Sequence, residues 1–159
     1  MKSVQKKFVE AMQSHNLTLA LAESMTCGLA AAKLSSCKGV SDVLVGSMVC
    51  YTPDFKHKVL QVQQCTIDTH TCESMEVTEE LARNLIKLVP ADVHVAITGL
   101  ASPGGSETKE KPVGTVFVCI AHQDKVHKIR KVFQGSPLEV KQQACLLVYE
   151  SVMSKILKI

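Results

Sequence analysis

The pattern of apolar and polar positions predicts helices and strands that alternate along the chain. A helix is expected over residues 3–14, because its apolar residues recur on one side of the helix. These residues are Val4, Phe8, Ala11 and Met12. The apolar run over residues 17–22 has the length of a buried strand. The strong helix-forming sequence that follows predicts a helix over residues 26–36.

The central part of the chain predicts a strand, a short helix and a loop. Residues 43–51 are mostly apolar and indicate a second buried strand, in which Gly46 indicates a bulge or a close backbone approach. Pro53 stands where a helix can begin, so a short helix is expected over residues 53–62. Residues 63–75 contain turn and cap residues with little periodicity and are predicted to form a loop.

The second half predicts two helices and three strands. A helix opens at Thr78 and ends before Pro90. Its apolar stripe consists of Val77, Leu81, Leu85 and Leu88. A third strand over residues 92–98 leads into a loop rich in glycine, proline and charge. An antiparallel hairpin and a long amphipathic helix complete the chain. The hairpin strands are residues 113–121 and 126–133, joined by a turn at 122–125, and the helix covers residues 138–157.

Strands that alternate with helices, with a hairpin added, indicate an α/β fold. We expect a three-layer α/β/α sandwich on a mixed, mostly parallel sheet. A length of 159 residues fits a single domain over residues 1–159. Ligands of such sheets collect where strands end in loops. Three predicted strands end in polar or glycine-rich turns, which are residues 24–28, 51–56 and 98–105.

Composition narrows the class of partner. The formal net charge of +3 is mild, and with no Trp and only two Tyr the chain lacks the aromatic platforms on which bases stack. We therefore expect no nucleic-acid partner. No apolar run is long enough to span a bilayer, so no membrane partner is expected either. Seven scattered Cys without a CxxC pair argue against zinc, and their odd number without a secretion signal favours a cytoplasmic location with reduced thiols.

The turn over residues 24–28 carries the first candidate chemistry. A strand that passes directly into a helix places this turn at the helix N-terminus, where unpaired N–H groups attract anions. The Ser24 hydroxyl would stand at the mouth of that site. From these residues alone, the simpler interpretation is that Ser24 or Thr26 only caps the helix.

Several motifs in order resemble one family over nearly the whole chain. They read AESMTCG, CYTPDFK, VTEELA, AITGLASPGG and KPVGTVFV. This series is similar to the CinA C-terminal domain family, whose stand-alone members are nicotinamide-nucleotide amidohydrolases, also called NMN deamidases. The resemblance implies hydrolysis of the carboxamide of nicotinamide mononucleotide to nicotinate mononucleotide and ammonia, in pyridine nucleotide recycling. It also implies an α/β/α sandwich that forms a homodimer or higher homo-oligomer and requires no metal or other cofactor.

The resemblance assigns roles to individual positions. Ser24 matches the family's nucleophile, and Lys56 matches its base, which must be uncharged to accept a proton. Tyr51 would relay a proton or hold the lysine. N–H groups of the turn after Ser24 would stabilise the oxyanion, and the loop from Thr98 would bind the nucleotide. The implied substrate-binding positions are Thr26, Cys27, Gly28, Gly39, Ser41, Gly46, Thr98, Gly99, Gly104, Gly105 and Lys141.

Departures from the family pattern leave two alternatives open. Cys27 and Ser102 stand where the family has glycine, Thr52-Pro53 replaces Ser-Asn, and Pro137 and Lys141 replace arginines. A nucleotide-binding or regulatory module that lost turnover is one alternative. Thiol chemistry at Cys27 is the other, because a helix N-terminus can activate a thiol. Without the resemblance, Lys56 reads as a solvated lysine on a helix face.

Overall fold

A five-stranded mixed sheet forms the centre of the molecule in the computed structural model, which describes residues 3–159. The strands are β1 Leu19–Glu23, β2 Leu44–Val49, β3 Val93–Gly99, β4 Thr115–His122 and β5 Lys125–Val132. The helices are α1 Val4–Ser14, α2 Leu29–Ser35, α3 Pro53–Lys58, α4 Gln64–His70, α5 Met75–Leu88 and α6 Pro137–Val152. A 3₁₀ turn at Val40–Asp42 precedes β2, and a π-helical turn at Met153–Leu157 follows α6.

The strands lie in the order β2-β1-β3-β4-β5. β1 pairs in parallel with both β2 and β3, whereas β3, β4 and β5 pair antiparallel. The predicted mixed sheet and the predicted hairpin are therefore confirmed. The β1–β2 register skips one residue, so that Leu19 pairs with Leu44 and Ala20 with Gly46. This irregularity confirms the expectation of a bulge at Gly46, where a Cβ would meet no atom within 4 Å.

Two separate apolar cores make the three layers. One core joins α1, α2 and α6 to one face of the sheet, with Phe8, Leu34 and Val148 fully buried in it. The other joins the opposite face to α4, α5 and the segment that follows α3, with Leu60 and Leu81 fully buried. The predicted α/β/α sandwich is confirmed. No helix within residues 3–159 combines the length and the apolar character needed to cross a membrane.

The prediction of a loop over residues 63–75 was wrong, because α4 lies within it. The side chain of Gln63, the residue before α4, does not cap the helix. The cap comes from Glu80 of α5, whose carboxylate accepts hydrogen bonds from the Gln63 N–H at 2.8 Å and from the Thr66 hydroxyl at 2.5 Å. Ile67 anchors the helix in the core. A contact between elements, rather than local periodicity, therefore stabilises this short helix.

Two further expectations require correction. The helix predicted to open at Thr78 begins at Met75, because Ser74 caps it by accepting from the Val77 N–H at 3.3 Å. Leu88, assigned to its apolar stripe, is 44% exposed at the last turn. β2 was predicted to be buried, yet it is an edge strand on which Val45 and Val49 are exposed.

Candidate active site

The turn after β1 holds Ser24 at the carboxyl edge of the parallel strands. The Ser24 N–H continues the sheet by donating to the Ile97 carbonyl at 3.0 Å, and its own carbonyl accepts from the Cys27 N–H at 3.0 Å. The side chain is nearly buried. Strand pairing on one side and the turn on the other therefore fix the backbone that carries the hydroxyl.

Lys56 reaches Ser24 from α3. This helix begins at Pro53, after Thr52, whose hydroxyl accepts from the Phe55 N–H at 3.2 Å. Lys56 is fully buried, and its Nζ donates to the Ser24 Oγ at 3.0 Å. The interpretation of Lys56 as a solvated lysine is wrong, because the side chain points into the protein.

Tyr51 contributes to this pair through its backbone. Its carbonyl accepts a hydrogen bond from the Lys56 Nζ at 3.1 Å, whereas its ring is 61% exposed. The structure therefore brings Tyr51 beside the lysine, and it is the main chain that holds the amine. Tyr51 also lines a cleft beside Ser24.

Glu23, which immediately precedes Ser24, is a buried carboxylate that the sequence did not single out. Its two oxygens accept from the N–H groups of Ala30 and Ala31, both at 3.0 Å, and from the Ser47 hydroxyl at 2.9 Å. The charge thus sits at the N-terminus of α2, where the helix dipole favours it. These bonds fasten β1, β2 and the first turn of α2 around the turn that carries Ser24. A carboxylate between a buried strand and a helix start was the available signal.

The turn also offers unpaired donors. Within residues 3–159, the N–H groups of Met25, Thr26 and Gly28 have no hydrogen-bond partner, whereas that of Cys27 is used within the turn. The Thr26 hydroxyl is buried and likewise lacks a partner in this part of the chain. Cys27 itself is exposed and has a φ of +52°, a backbone angle that residues other than glycine rarely adopt. Gly28 follows with φ +87°, and it caps α2.

A cleft of about 230 Å³ opens beside Ser24. Tyr51, Gly99 and the 101–105 loop line it, and Pro137 and Lys141 of α6 complete its wall. The Lys141 side chain makes no hydrogen bond or ion pair with any residue in the described range. Glu73, which the sequence did not single out, also lines the cleft, and its carboxylate accepts from the Ser106 hydroxyl at 2.6 Å.

Gly99 lies where a residue with a side chain would clash with its neighbours. A Cβ at this position would lie 2.4 Å from the Thr115 carbonyl oxygen and 2.7 Å from the Met25 Sδ. Its φ of +154° also favours glycine. Thr98, the residue before it, is fully buried and its hydroxyl is hydrogen-bonded to the Thr78 hydroxyl at 2.8 Å. Thr98 therefore connects the strand before Gly99 to α5, and its side chain does not line the cleft.

Gly104 and Gly105 lie in the cleft wall, but their N–H groups are already engaged. Gly104 donates to the Glu107 Oε1 and Gly105 to the Glu107 Oε2, each at 2.8 Å. The bond from Gly104 is the main cause that lowers the pKa of the Glu107 carboxyl. The sequence predicted donors for a ligand here. The structure shows that they bind an anion of the protein's own chain.

Three predicted binding positions lie away from the cleft. Gly39 and Ser41 precede β2 and therefore lie at the other end of the parallel strands from Ser24. Gly39, with φ +82°, approaches Gln13 of α1 so closely that a Cβ would lie 2.4 Å from the Gln13 Nε2. Gly46 lies within β2 at the bulge. The structure does not bring these three residues together with Ser24.

The cysteines differ sharply in access. Cys50 is fully buried, and this burial raises the pKa of its thiol to about 11. Cys27 and Cys65 are exposed. Within residues 3–159, the His, Cys, Asp and Glu side chains form no group of three that could hold a metal ion.

Comparison with protein families gives one model that matches nearly the whole chain. The CinA C-terminal domain model matches residues 1–156. A CinA-like protein of Thermotoga maritima is 33% identical over 150 residues, which are 94% of this chain and 36% of that protein. A putative competence-damage inducible protein of Moorella thermoacetica is 37% identical over 133 residues, which are 84% of this chain and 32% of that protein. The chain thus spans about a third of the length of these curated relatives.

Solved structures share the fold across the full length. A competence-damaged protein (CinA) superfamily protein of Klebsiella pneumoniae superposes with a TM-score of 0.92 at 26% identity, covering 98% of this chain and 97% of that one. A competence/damage inducible protein of Agrobacterium tumefaciens gives a TM-score of 0.87 at 26% identity, covering 97% and 96%. The chain therefore corresponds to nearly the whole of each of these solved chains.

Proposed function

Because the chain belongs to the CinA C-terminal domain family, we propose that it hydrolyses the carboxamide of nicotinamide mononucleotide to nicotinate mononucleotide and ammonia. The observation that carries the proposal is the buried contact between the Lys56 amine and the Ser24 hydroxyl at 3.0 Å. Amide hydrolysis needs an activated nucleophile, donors for the oxyanion and a proton for the leaving group. The site offers a candidate for each.

In the proposed reaction, Lys56 acts first as a base. Its neutral amine takes the proton of the Ser24 hydroxyl while the oxygen forms a bond to the carboxamide carbon. The C–N bond then breaks, and the Lys56 ammonium returns its proton to the leaving nitrogen, which departs as ammonia. Water then attacks the carbonyl carbon of the resulting ester while Lys56 takes its proton; the bond from that carbon to the Ser24 oxygen breaks, the Lys56 ammonium returns the proton to this oxygen, and nicotinate mononucleotide is released.

The surroundings of the pair support these roles. Lys56 is fully buried, so water does not compete for its hydrogen bonds. The Tyr51 carbonyl fixes the amine at 3.1 Å and leaves it directed at the serine. The free N–H groups of Met25 and Thr26 follow the nucleophile in the chain, where a developing oxyanion would need donors.

A nucleotide-binding module without turnover is the second candidate. Pro137 lines the cleft where the resemblance expects an arginine, and Ser102 stands there in place of a glycine. Lys141 presents the same charge as the arginine expected at its position but not the planar fork that grips phosphate. Thermal stabilisation by nicotinamide mononucleotide without release of ammonia would favour this candidate.

Ammonia release from nicotinamide mononucleotide by the purified protein is the direct test. We expect Ser24→Ala and Lys56→Met each to lower kcat by about 10²-fold or more, because each removes a group that takes part in proton transfer or bond formation. Lys58→Met is the matched control, since Lys58 lies on the same helix and is exposed. Activity that survives both site variants, or that falls equally in the Lys58 control, would refute the proposed mechanism.

A further inference from the structure

Two charged residues line the cleft beside Ser24, and they carry opposite signs. Within residues 3–159, the cleft wall includes Glu73, which lies shortly before α5, and Lys141 of α6, and the other residues of the wall are uncharged. A cleft with this pair of charges suits a ligand that carries both a positive and a negative group. The reaction steps proposed above give no role to Glu73.

Glu73 is held in place, but no ion pair neutralises its carboxylate. The residue is half-buried, and its Oε2 accepts from the Ser106 hydroxyl at 2.6 Å. Its other carboxylate oxygen, Oε1, has no hydrogen-bond or ion-pair partner among residues 3–159. A neutral donor therefore orients the carboxylate, and one of its oxygens is left without a partner.

Lys111 belongs to the same network and is used within it. Its Nζ donates to the Thr71 hydroxyl and the Ser106 hydroxyl, each at 2.8 Å, and to the Glu73 carbonyl at 2.9 Å. These acceptors use all three N–H groups of the ammonium, and Lys111 does not line the cleft beside Ser24. Lys111 therefore orders the chain around Glu73 without forming an ion pair with its carboxylate.

We propose that Glu73 is a specificity-determining residue, whose carboxylate selects the positive charge of a pyridinium ring. In nicotinamide mononucleotide the ring nitrogen is bonded to ribose and carries a permanent positive charge, whereas the phosphate is anionic. Glu73 matches the charge of the ring, and Lys141 matches that of the phosphate. The inference deepens the proposed function, on which it rests for the identity of the ligand.

The size of the effect follows from the position of the carboxylate. A half-buried carboxylate attracts a cation more strongly than an exposed one, because the effective dielectric constant around it is lower. We expect the charge of Glu73 to favour a pyridinium over an uncharged ring of the same shape by about 3- to 10-fold in affinity. Tyr51 is a competing source of such a preference, because it also lines the cleft and aromatic rings attract cations.

Binding of two nucleotides that differ in ring charge tests the proposal. Nicotinamide mononucleotide is compared with benzamide riboside monophosphate, which keeps the carboxamide, the ribose and the phosphate on an uncharged ring. Calorimetry in a Ser24→Ala background, which prevents turnover under the proposed mechanism, gives both dissociation constants. We expect Glu73→Gln to lower the preference for the pyridinium nucleotide by about 3- to 10-fold, while glutamine keeps an oxygen that accepts from Ser106.

Two further variants separate charge recognition from a structural role. Glu73→Asp keeps the negative charge and should retain more of the preference than Glu73→Gln. Glu76→Gln is the matched control, because Glu76 carries the same charge and is exposed but does not line this cleft. It should change the preference less than about twofold, since solvent screens an exposed charge. A purely structural role of Glu73 would weaken both nucleotides equally.

The outcomes distinguish this inference from the proposed reaction. A preference that Glu73→Gln leaves unchanged, or that falls equally in Glu76→Gln, would overturn the inference, as would failure of both nucleotides to bind. If ammonia is released from nicotinamide mononucleotide while the preference does not depend on Glu73, the reaction stands and the inference fails. If the preference depends on Glu73 while the protein with Ser24 intact releases no ammonia, the reaction fails and the inference stands.

Discussion

Glu23→Gln provides a quantitative test of how the Ser24 turn is held. The carboxylate accepts from three donors, the N–H groups of Ala30 and Ala31 and the Ser47 hydroxyl, at 2.9 to 3.0 Å. Glutamine keeps the shape but has one acceptor oxygen. With that oxygen toward Ala31 and Ser47, the amide NH₂ faces the Ala30 N–H, and two donors meet with no acceptor between them.

The expected loss follows from counting these bonds. Two charge-assisted hydrogen bonds become neutral ones, at about 1 kcal/mol each, and one buried N–H loses its acceptor, at about 1–3 kcal/mol. The neutral glutamine also avoids the free-energy cost of burying a charge, which reduces this loss. We therefore expect Glu23→Gln to lower the free energy of unfolding by about 3 kcal/mol. Ser47→Ala, which removes one half-buried donor, should lower it by about 1 kcal/mol.

Urea unfolding of the two variants and the unaltered protein measures both quantities, provided that the m-value is unchanged. Hydrogen exchange adds a local readout, because the Ala30 and Ala31 amides should lose protection in Glu23→Gln more than amides elsewhere in α2. A Glu23→Gln loss below about 1 kcal/mol, or one no larger than that of Ser47→Ala, would contradict the view that this carboxylate fastens the turn.

Two further predictions concern titration. The Asp92 carboxylate accepts from the Thr18 hydroxyl at 2.7 Å and from its N–H at 2.8 Å, and the hydroxyl is the main cause that lowers the pKa of Asp92. A carboxyl whose pKa is lower in the folded state than in the unfolded state stabilises the fold at pH values above its unfolded-state pKa. That contribution disappears as the pH falls through the folded-state pKa. We therefore expect the unaltered protein to have a larger free energy of unfolding than Asp92→Asn above about pH 5, by at most about 1 kcal/mol because the site is exposed. Urea titrations should show this difference shrinking toward about pH 3. A difference that stays constant with pH would contradict this. Iodoacetamide at neutral pH should alkylate the exposed Cys27 and spare Cys50, as read by mass spectrometry. Burial keeps Cys50 inaccessible and raises the pKa of its thiol to about 11. Labelling of Cys50 before Cys27 in the folded protein would refute this assignment.

The spacing of apolar residues was sufficient to predict the strands and the helix that have a clear buried face. β1, β3, the β4–β5 hairpin and α1 were predicted within a few residues, because each presents a continuous or regularly spaced apolar set. α4 was missed because Glu80, from another helix, supplies its N-terminal hydrogen bonds. β2 was misjudged because an apolar strand reads the same at the edge of a sheet as at its centre.

The candidate site shows the same division between local and long-range information. The strand-to-helix turn at Ser24 was visible locally, but a local reading allowed only a helix cap. Its contact with Lys56, 32 residues later, entered through the family resemblance, and the structure places the two atoms 3.0 Å apart. The hydrogen bonds from the Gly104 and Gly105 N–H groups to Glu107 could not be predicted, because they depend on the geometry of the loop and not on residue type alone.

The two halves of the sheet differ in how far apart along the chain their partners lie. The β4–β5 hairpin closes at the pair His122–Lys125, whereas β1 meets β3 at the pair Leu19–Val93. Closing a long loop loses more chain entropy than closing a short one, so the hairpin can form early and the parallel strands are expected to join late. Ser24 and the ends of these parallel strands come together only at that last stage, so a partly folded chain would have its hairpin but not its cleft.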